Sequence, residues 1–240
     1  LNLTWETLEG IVKHNGPLTV VVESIKSYNQ EHNLELTTFP SPEAQVASLA
    51  DDIAYNNHDI DDALRAGFID LNDLIELPLV GSIIKEVQAL YPEATLGRQG
   101  HETIRRIIDR MVTDLVEESR NRAKIYCPAN AQAVRELNVP LILFSADMAA
   151  HNEMLQNFLF DNMYRHYRVT RMASKARRVV RDLFRFFLEE PECLPTEWRQ
   201  RSGLPGSSET AQLVGDYVAG MTDLYALDEH AKIFNSKVKL

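Results

Sequence analysis

The sequence is short of the features that mark several classes of protein. It has two cysteines in 240 residues, Cys127 and Cys193, and their wide spacing supports neither a zinc motif nor a disulfide framework. It has no run of about 18 apolar residues, the length that a membrane span requires. Its first residues do not have the pattern of a signal peptide. These absences predict a cytoplasmic protein in a reducing compartment, with no membrane contact.

Positive charge is also scarce. The chain has 25 Lys and Arg against 35 Asp and Glu, which gives a net charge of −10 and a pI of about 5.2. A globally acidic protein is a poor non-specific binder of nucleic acid, although a local basic patch can still hold a polyanion. The length allows one large domain or two small ones.

Helical periodicity dominates the sequence. Thr4 is a suitable cap for a helix through His14, and Ser41 followed by Pro42 predicts the start of a helix that runs to Gly67. Further helices are predicted over residues 102–122, 146–163, 169–189 and 209–229.

Two apolar segments are alternative candidates for short strands. These are "TVVVES" at 19–24 and "PLILF" at 140–144, and neither has a clear pairing partner. The sequence therefore favours an all-α fold. The proline- and glycine-rich stretch 189–208 is predicted to be an internal loop.

The segment "ADDIAYNNHDIDD" at 50–62 places five aspartates on one predicted helix. Asp51, Tyr55 and Asp59 stand four residues apart, so they share one face. One interpretation is the solvated face of an amphipathic helix. The other is the lining of a pocket. Aspartate is a mediocre helix former, and these carboxylates repel one another unless cations or basic groups neutralise them, so five on one helix are unusual for a merely solvated face.

A metal motif made of His14 and the dipeptide His58-Asp59 is a further hypothesis, since imidazole and carboxylate both bind divalent ions. An isolated His-Asp pair is common by chance, and the sequence favours this hypothesis least.

Residues 162–188 invert the overall charge, with seven Arg and one Lys against a single acid, Asp182. Arginine forks suit phosphate oxygens, and the cluster "YRHYR" adds tyrosines that can pack a sugar or a base. Single-stranded nucleic acid is one partner that fits this composition. The alternative is a basic helix docked against an acidic partner, such as the 51–62 face, or a contact between subunits.

Four blocks of the sequence, taken together, resemble a known family. They are "LNLTWETLEGIVKHNGPL", "EAQVASLADDIAYNNHDIDDALRAG", "FLFDNMYRHYRV" and "DYVAGMTDLYAL". They are similar to successive blocks of the deoxyguanosinetriphosphate triphosphohydrolase-like proteins (dGTPase-like hydrolases) of the HD superfamily.

The resemblance implies an all-α, HD-domain-like helical bundle in which residues 1–240 form the C-terminal part of a single domain. It implies hydrolysis of a deoxynucleoside triphosphate to deoxynucleoside and inorganic triphosphate. It also implies a divalent metal, which is Mg, Mn or another transition metal, and assembly into homo-oligomers.

The resemblance also implies roles for the acidic helix. Asp51 matches the family's last metal ligand, while Tyr55 and Asp59 match residues that approach the deoxyribose. Asp59 is expected to accept a hydrogen bond from the 3′-hydroxyl.

Three further substrate contacts follow from the resemblance. Tyr164 and Arg165 match a second substrate-facing cluster, in which the tyrosine lies near the sugar. Lys13 matches a lysine near the triphosphate. No residue of the chain is assigned a catalytic role.

The chain departs from the family pattern at its start. It begins without Met and already in amphipathic periodicity, and in the family the first metal His and the His-Asp pair precede this point. We therefore expect these ligands in an N-terminal part that precedes Leu1. The alternative is a non-catalytic nucleotide-sensing or nucleic-acid-binding module, and a third interpretation is a helical oligomerisation module.

Overall fold

A computed structural model of the protein describes residues 2–235, and within this range it is all-α, as predicted. The two candidate strand segments, 19–24 and 140–144, contain no strand. The α-helices are α1 (Trp5–Lys13), α2 (Glu23–Glu31), α3 (Pro42–Arg65), α4 (Pro78–Leu90), α5 (Leu96–Tyr126), α6 (Ala131–Arg135), α7 (Ala146–Leu159), α8 (Tyr167–Glu189), α9 (Thr196–Arg199), α10 (Ser208–Ala219) and α11 (Asp223–Phe234). A π-helical turn, Phe160–Tyr164, follows α7, and a 3-10 turn, Pro191–Cys193, precedes α9.

Both predicted caps are confirmed. The Thr4 hydroxyl accepts a hydrogen bond from the amide of Thr7, and the Ser41 hydroxyl accepts one from the amide of Ala44, each at 3.3 Å. Each bond satisfies one of the amides that the first turn of a helix leaves unpaired.

The single helix predicted over 209–229 is wrong, because the chain forms α10 and α11 there. Gly220 ends α10, and Thr222 then caps α11 by accepting from the amide of Tyr225 at 3.3 Å. A glycine followed two residues later by a good N-cap is a stop and a restart. Helices α2 and α4 were not predicted, and α5 is longer than the predicted 102–122.

The chain divides into two compact units, one ending at Tyr164 and the other beginning at Arg165. In the first unit α5 packs against both α3 and α4. Fully buried side chains from these three helices form its core, including Ile60, Ile83, Ile107 and Met111. The expectation of one domain over residues 1–240 stays a prediction.

The second unit is built on α8. The buried face of α8 is Val179, Leu183 and Phe187, and it packs with Val214 and Tyr217 of α10. The segment 189–208, predicted as an internal loop, contains the 3-10 turn and the four-residue α9. In the part of the chain that the structure describes, no helix has both the length and the apolar character needed to cross a bilayer.

Candidate substrate cleft

Helix α3 presents the predicted acidic face on the first unit. Its opposite face is anchored in the core through Ile53 and Ile60, which are buried. Asp51 and Tyr55 are exposed and Asp59 is half-buried, so the three side chains form a column on the side that is not anchored in the core. The helix is long enough to hold this column rigidly, because its core contacts extend on both sides of it.

The π-helical turn after α7 positions the fourth residue of the site, Tyr164. Helix α7 is capped by Ser145, whose amide and hydroxyl both donate to the carboxylate of Asp114 on α5, at 2.9 and 2.6 Å. Further along, the Asn56 amide of α3 donates to Asn152 of α7 at 2.9 Å. The π-turn inserts a wider turn at the end of this fixed helix, a feature that is frequent at functional sites.

Tyr164, Tyr55 and Asp59 meet at the end of α7. The Tyr164 hydroxyl donates a short hydrogen bond to the Asp59 carboxylate and lies 2.9 Å from the Tyr55 hydroxyl. A phenol has one proton, so when Tyr164 donates to Asp59 it can accept from Tyr55. Burial, and then the contact with Asp59, raises the pKa of Tyr164, which keeps the phenol protonated and able to donate.

These side chains line a cleft of about 340 Å³ between α3 and the end of α7. That volume is at the lower end of the range of small-molecule sites. Sequence reasoning missed the other residues of its lining, namely Asp52, Asn56, Gln156, Leu159 and Phe160. Gln156, Phe160 and Tyr164 follow one another at intervals of four residues. Helical spacing counted backwards from Tyr164 would therefore have predicted Phe160 and Gln156 on the same face.

Asp51 lies beside a second, larger groove. This groove, of about 840 Å³, runs between α1 and α3, and Asp52 lines both it and the cleft. Burial and the neighbouring Asp51 carboxylate raise the pKa of Asp52. The column of Asp51, Tyr55 and Asp59 therefore extends from the acidic groove to the hydroxyl-rich cleft within about two turns of α3.

The residues that the structure describes do not form a complete site for a divalent metal. Among residues 2–235 there is no group of three or more His, Cys, Asp or Glu side chains placed to hold an ion. Asp51 offers one carboxylate, and divalent ions in proteins take several ligands.

The hypothesis of a metal site on His14, His58 and Asp59 is wrong for this structure. His58 lines a different cleft, between α3 and α5, while Asp59 faces Tyr164. His14 lies in the large groove, with its Nδ1 bonded to the carbonyl of Ile11 at 2.8 Å.

Lys13 lines neither the cleft nor the larger groove. Its side chain is fully buried, and its ammonium pairs with Glu9 at 2.9 Å and donates to three oxygens of residues 35–39 at 2.9 to 3.3 Å. Glu9 is also buried and pairs with Arg135 at 3.2 Å. An ammonium has three N–H donors, and four acceptors already surround this one, so in this arrangement Lys13 has no donor for a triphosphate.

Arg165 is the first residue of the second unit, and its side chain is exposed. The structure thus brings together three of the predicted substrate residues, Tyr55, Asp59 and Tyr164, with Asp51 one helical turn from Tyr55.

Known proteins match nearly the whole chain. A deoxyguanosinetriphosphate triphosphohydrolase-like protein from Parvibaculum lavamentivorans is 50% identical over 242 residues, covering 98% of this chain and 61% of the relative. Proteins of the same name from Caulobacter sp. (strain K31) and Azorhizobium caulinodans are each 46% identical, covering 99% and 100% of this chain and 62% and 63% of the relatives. The family resemblance predicted from the sequence is confirmed.

The C-terminal half adds a second match. The family model of the phosphohydrolase-associated domain fits residues 142–232. The chain spans about three fifths of the length of the curated relatives that it matches.

Proposed function

We propose that this chain supplies the deoxynucleoside-binding part of a phosphohydrolase that converts a deoxynucleoside triphosphate to deoxynucleoside and inorganic triphosphate. The observation that carries the proposal is the meeting of Tyr164, Tyr55 and Asp59 at one cleft. The names of the relatives support the same substrate class.

The cleft suits a sugar with a free hydroxyl. Tyr164 donates to one oxygen of the Asp59 carboxylate, and the carboxylate can accept a further hydrogen bond from a ligand hydroxyl. Tyr55, whose side chain is 57% exposed, offers an aromatic surface to the sugar ring. We assign the 3′-hydroxyl to Asp59 and the deoxy edge of the sugar to the two tyrosines, which we propose pack too closely against the sugar to admit a 2′-hydroxyl.

Asp51 is proposed as one ligand of a divalent ion, Mg, Mn or another transition metal. Since Asp51 alone does not make a metal site, we derive no step of the reaction through a metal. Arg165 is proposed to contact the substrate next to Tyr164. The buried setting of Lys13 supports a structural role for it instead of the predicted triphosphate contact.

The test is release of inorganic triphosphate from deoxynucleoside triphosphates by the full-length protein and its Asp51→Ala variant. We expect the variant to lose at least 100-fold in turnover, because removal of a metal ligand disables the centre that it completes. Asp62→Ala, on the same helix and exposed, is the matched control and should keep normal turnover. Undiminished turnover in Asp51→Ala would contradict the assignment of Asp51 as a metal ligand.

A second candidate is a non-catalytic nucleotide sensor. It rests on the same cleft, because Tyr55, Asp59 and Tyr164 converge within this chain and binding alone requires nothing more. A sensor would show a rise in melting temperature with deoxynucleoside triphosphate and no triphosphate release in the full-length protein.

Two further properties are proposed. Assembly into homo-oligomers follows from the resemblance, and a cytoplasmic location follows from the two widely spaced cysteines. Light scattering of the full-length protein tests the first, and a fluorescent fusion tests the second.

A further inference from the structure

The segment that leads into α7, residues 140–145, forms neither a helix nor a strand. We call it the strap. Gln45 of α3 holds its first half, because one side-chain oxygen accepts from the amides of both Leu141 and Ile142, at 2.8 and 3.0 Å. Gln45 is 5% exposed, and its Nε2 donates to the carbonyl of Pro40 at 2.8 Å. Three hydrogen bonds therefore fix the orientation of this buried side chain.

Helix α5 holds the two ends of the strap. At the start, the Arg122 guanidinium donates to the carbonyl of Pro140 at 2.8 Å. At the end, the Asp114 carboxylate accepts from both the amide and the hydroxyl of Ser145. Among residues 2–235 no backbone-to-backbone hydrogen bond reaches residues 140–144. The hydrogen bonds that hold this stretch come from side chains of α3 and α5.

Helix α7 has Tyr164 just beyond its far end, so the position of the helix decides where the phenol lies. The helix buries Leu155 and Leu159 in the core of the first unit. Apolar contacts are non-directional, so they hold a helix against its neighbours without specifying its exact position. The bond from Tyr164 to Asp59 is more demanding, because an O–H···O hydrogen bond is confined to oxygen separations of about 2.5 to 3.0 Å.

Two directional contacts supply the missing precision. The bond from Asn56 to Asn152 holds α7 at one point, and the strap holds it at Ser145. A helix held at one point can pivot about it, whereas a helix held at two points cannot. Tyr164 lies twelve residues beyond Asn152, and Ser145 lies seven residues before it. A shift of about 1 Å at Ser145 therefore becomes a shift of about 1.5 to 2 Å at Tyr164, which is enough to break its hydrogen bond.

We infer that Gln45 and Asp114 are positioning residues of the substrate cleft, which act through the strap and α7 to place the Tyr164 hydroxyl on the Asp59 carboxylate. Helix α3 thus provides both the acceptor, Asp59, and one of the contacts that bring its donor to it. The consequence for ligands rests on the proposed function, and it is that loss of either positioning residue weakens the selection of deoxyribose.

The first test requires no nucleotide. Full-length protein isotopically labelled at the tyrosine Cζ gives a carbon resonance for each tyrosine, and the Tyr164 resonance is assigned by its loss in Tyr164→Phe. Its chemical shift reports the hydrogen bonds of the hydroxyl. In Asp114→Ala and in Gln45→Met we expect this resonance to move towards that of a solvent-exposed tyrosine.

The second test is the ratio of affinities for deoxy- and ribonucleoside triphosphates. The ratio should fall by about threefold to tenfold in Asp114→Ala and in Gln45→Met, the range expected for the loss of one hydrogen bond. In a Tyr164→Phe background, Asp114→Ala should change the ratio no further, because residues that act through one contact are not additive. A full additional loss in the double variant would contradict a role through Tyr164.

Two control variants separate positioning from lost stability and lost charge. Ile83→Val shortens a fully buried side chain of α4 that makes none of the strap's hydrogen bonds, so it should lower the melting temperature and leave both readouts unchanged. Asp109→Ala removes an exposed carboxylate of α5 and should change neither readout. If Asp114→Ala does not fold, Asp114→Asn keeps one acceptor oxygen and should move the Tyr164 resonance by a smaller amount in the same direction.

The outcomes distinguish this inference from the proposed function. A Tyr164 resonance that stays in place in both Asp114→Ala and Gln45→Met would overturn the inference, whether or not nucleotide binds. A resonance that moves in a protein without affinity for deoxynucleoside triphosphates would support the positioning roles and contradict the proposed function. An equal movement in Ile83→Val would overturn the inference, since general loosening of the core would then explain it. A moved resonance with an unchanged affinity ratio would overturn the link to deoxyribose.

Discussion

The Tyr164 hydroxyl at the end of α7 donates to the Asp59 carboxylate of α3, across 105 residues of sequence. The bond closes one side of a cleft and holds the acceptor that we assign to the 3′-hydroxyl of a deoxynucleotide. A carboxylate can accept several hydrogen bonds, so a ligand can donate to Asp59 while Tyr164 holds the carboxylate in place. The two residues should therefore affect binding in different ways.

Asp59→Asn should weaken binding of deoxynucleoside triphosphates that have a 3′-hydroxyl by about tenfold and leave 3′-deoxy analogues nearly unaffected. An amide oxygen is a weaker acceptor than a carboxylate, and a hydrogen bond to a charged group contributes about 1.5 to 3 kcal/mol. Calorimetric titration of both ligands measures the difference. Asp62→Asn on the same helix is the control, and equal losses for both ligands would contradict the role of Asp59.

Tyr164→Phe should relax discrimination against ribonucleotides and lower the free energy of unfolding by about 1 kcal/mol. The ring stays, but Asp59 loses its donor and Tyr55 loses a partner. The measurements are the ratio of affinities for deoxy- and ribonucleoside triphosphates and chemical denaturation. Tyr28→Phe, an exposed tyrosine of α2, should change neither. An unchanged ratio of deoxy- to ribonucleotide affinity in Tyr164→Phe would show that the Tyr164 hydroxyl does not contribute to sugar selectivity.

Local chemistry made part of this site predictable from sequence. The caps at Thr4 and Ser41 depend on residues three positions away, and the spacing of Asp51, Tyr55 and Asp59 requires only helix geometry. The hydrogen bond between Asp59 and Tyr164 is a tertiary contact. It depends on a π-helical turn that no local sequence pattern predicted.

The burial of Lys13 is a second tertiary feature that the sequence does not reveal. Glu9 and Lys13 form an i, i+4 pair that in sequence looks like an ordinary surface ion pair. Their burial depends on Arg135, which is 126 residues away from Glu9. Only the folded chain shows that this lysine has no donor for a ligand.

Lys13→Met should therefore destabilise the first unit and leave ligand affinity intact. Removing one partner of a buried ion pair costs about 3 kcal/mol, because the remaining charge keeps its desolvation penalty. Thermal unfolding gives the cost, and titration of the folded protein with deoxynucleoside triphosphate gives the affinity. The exposed Lys85→Met is the control and should change stability by less than about 0.5 kcal/mol. Lost affinity with normal stability would restore the triphosphate role.

Gly81 and Gly97 offer a paired test of helix packing. A Cβ on Gly81 in α4 would lie 1.9 Å from the carbonyl oxygen of Ile75, whereas nothing lies within 4 Å of a Cβ on Gly97 in α5. Gly81→Ala should lower the free energy of unfolding by about 3 kcal/mol, since backbone cannot move aside cheaply. Gly97→Ala should leave it unchanged or raise it by up to about 1 kcal/mol through better helix propensity. Urea denaturation compares the two, and equal effects would contradict the close approach of α4 to Ile75.

Glu102 should give the first unit a pH-dependent contribution to stability. Hydrogen bonds from Arg105 and Arg106 lower the pKa of its carboxyl from 4.5 to about 2. A carboxyl whose folded pKa is lowered stabilises the folded state fully above pH 4.5, and the effect disappears as the pH falls toward 2. The melting temperature of Glu102→Gln should thus be lower than that of the unaltered protein at pH 7, and the difference should shrink steadily from pH 5 to pH 3. Glu117→Gln is the control, because Glu117 is an exposed residue of α5 that makes no ion pair among residues 2–235, and it should show no such trend. A difference that stays constant with pH would mean that Glu102 acts through packing, since only the charged carboxylate can hold both guanidinium groups.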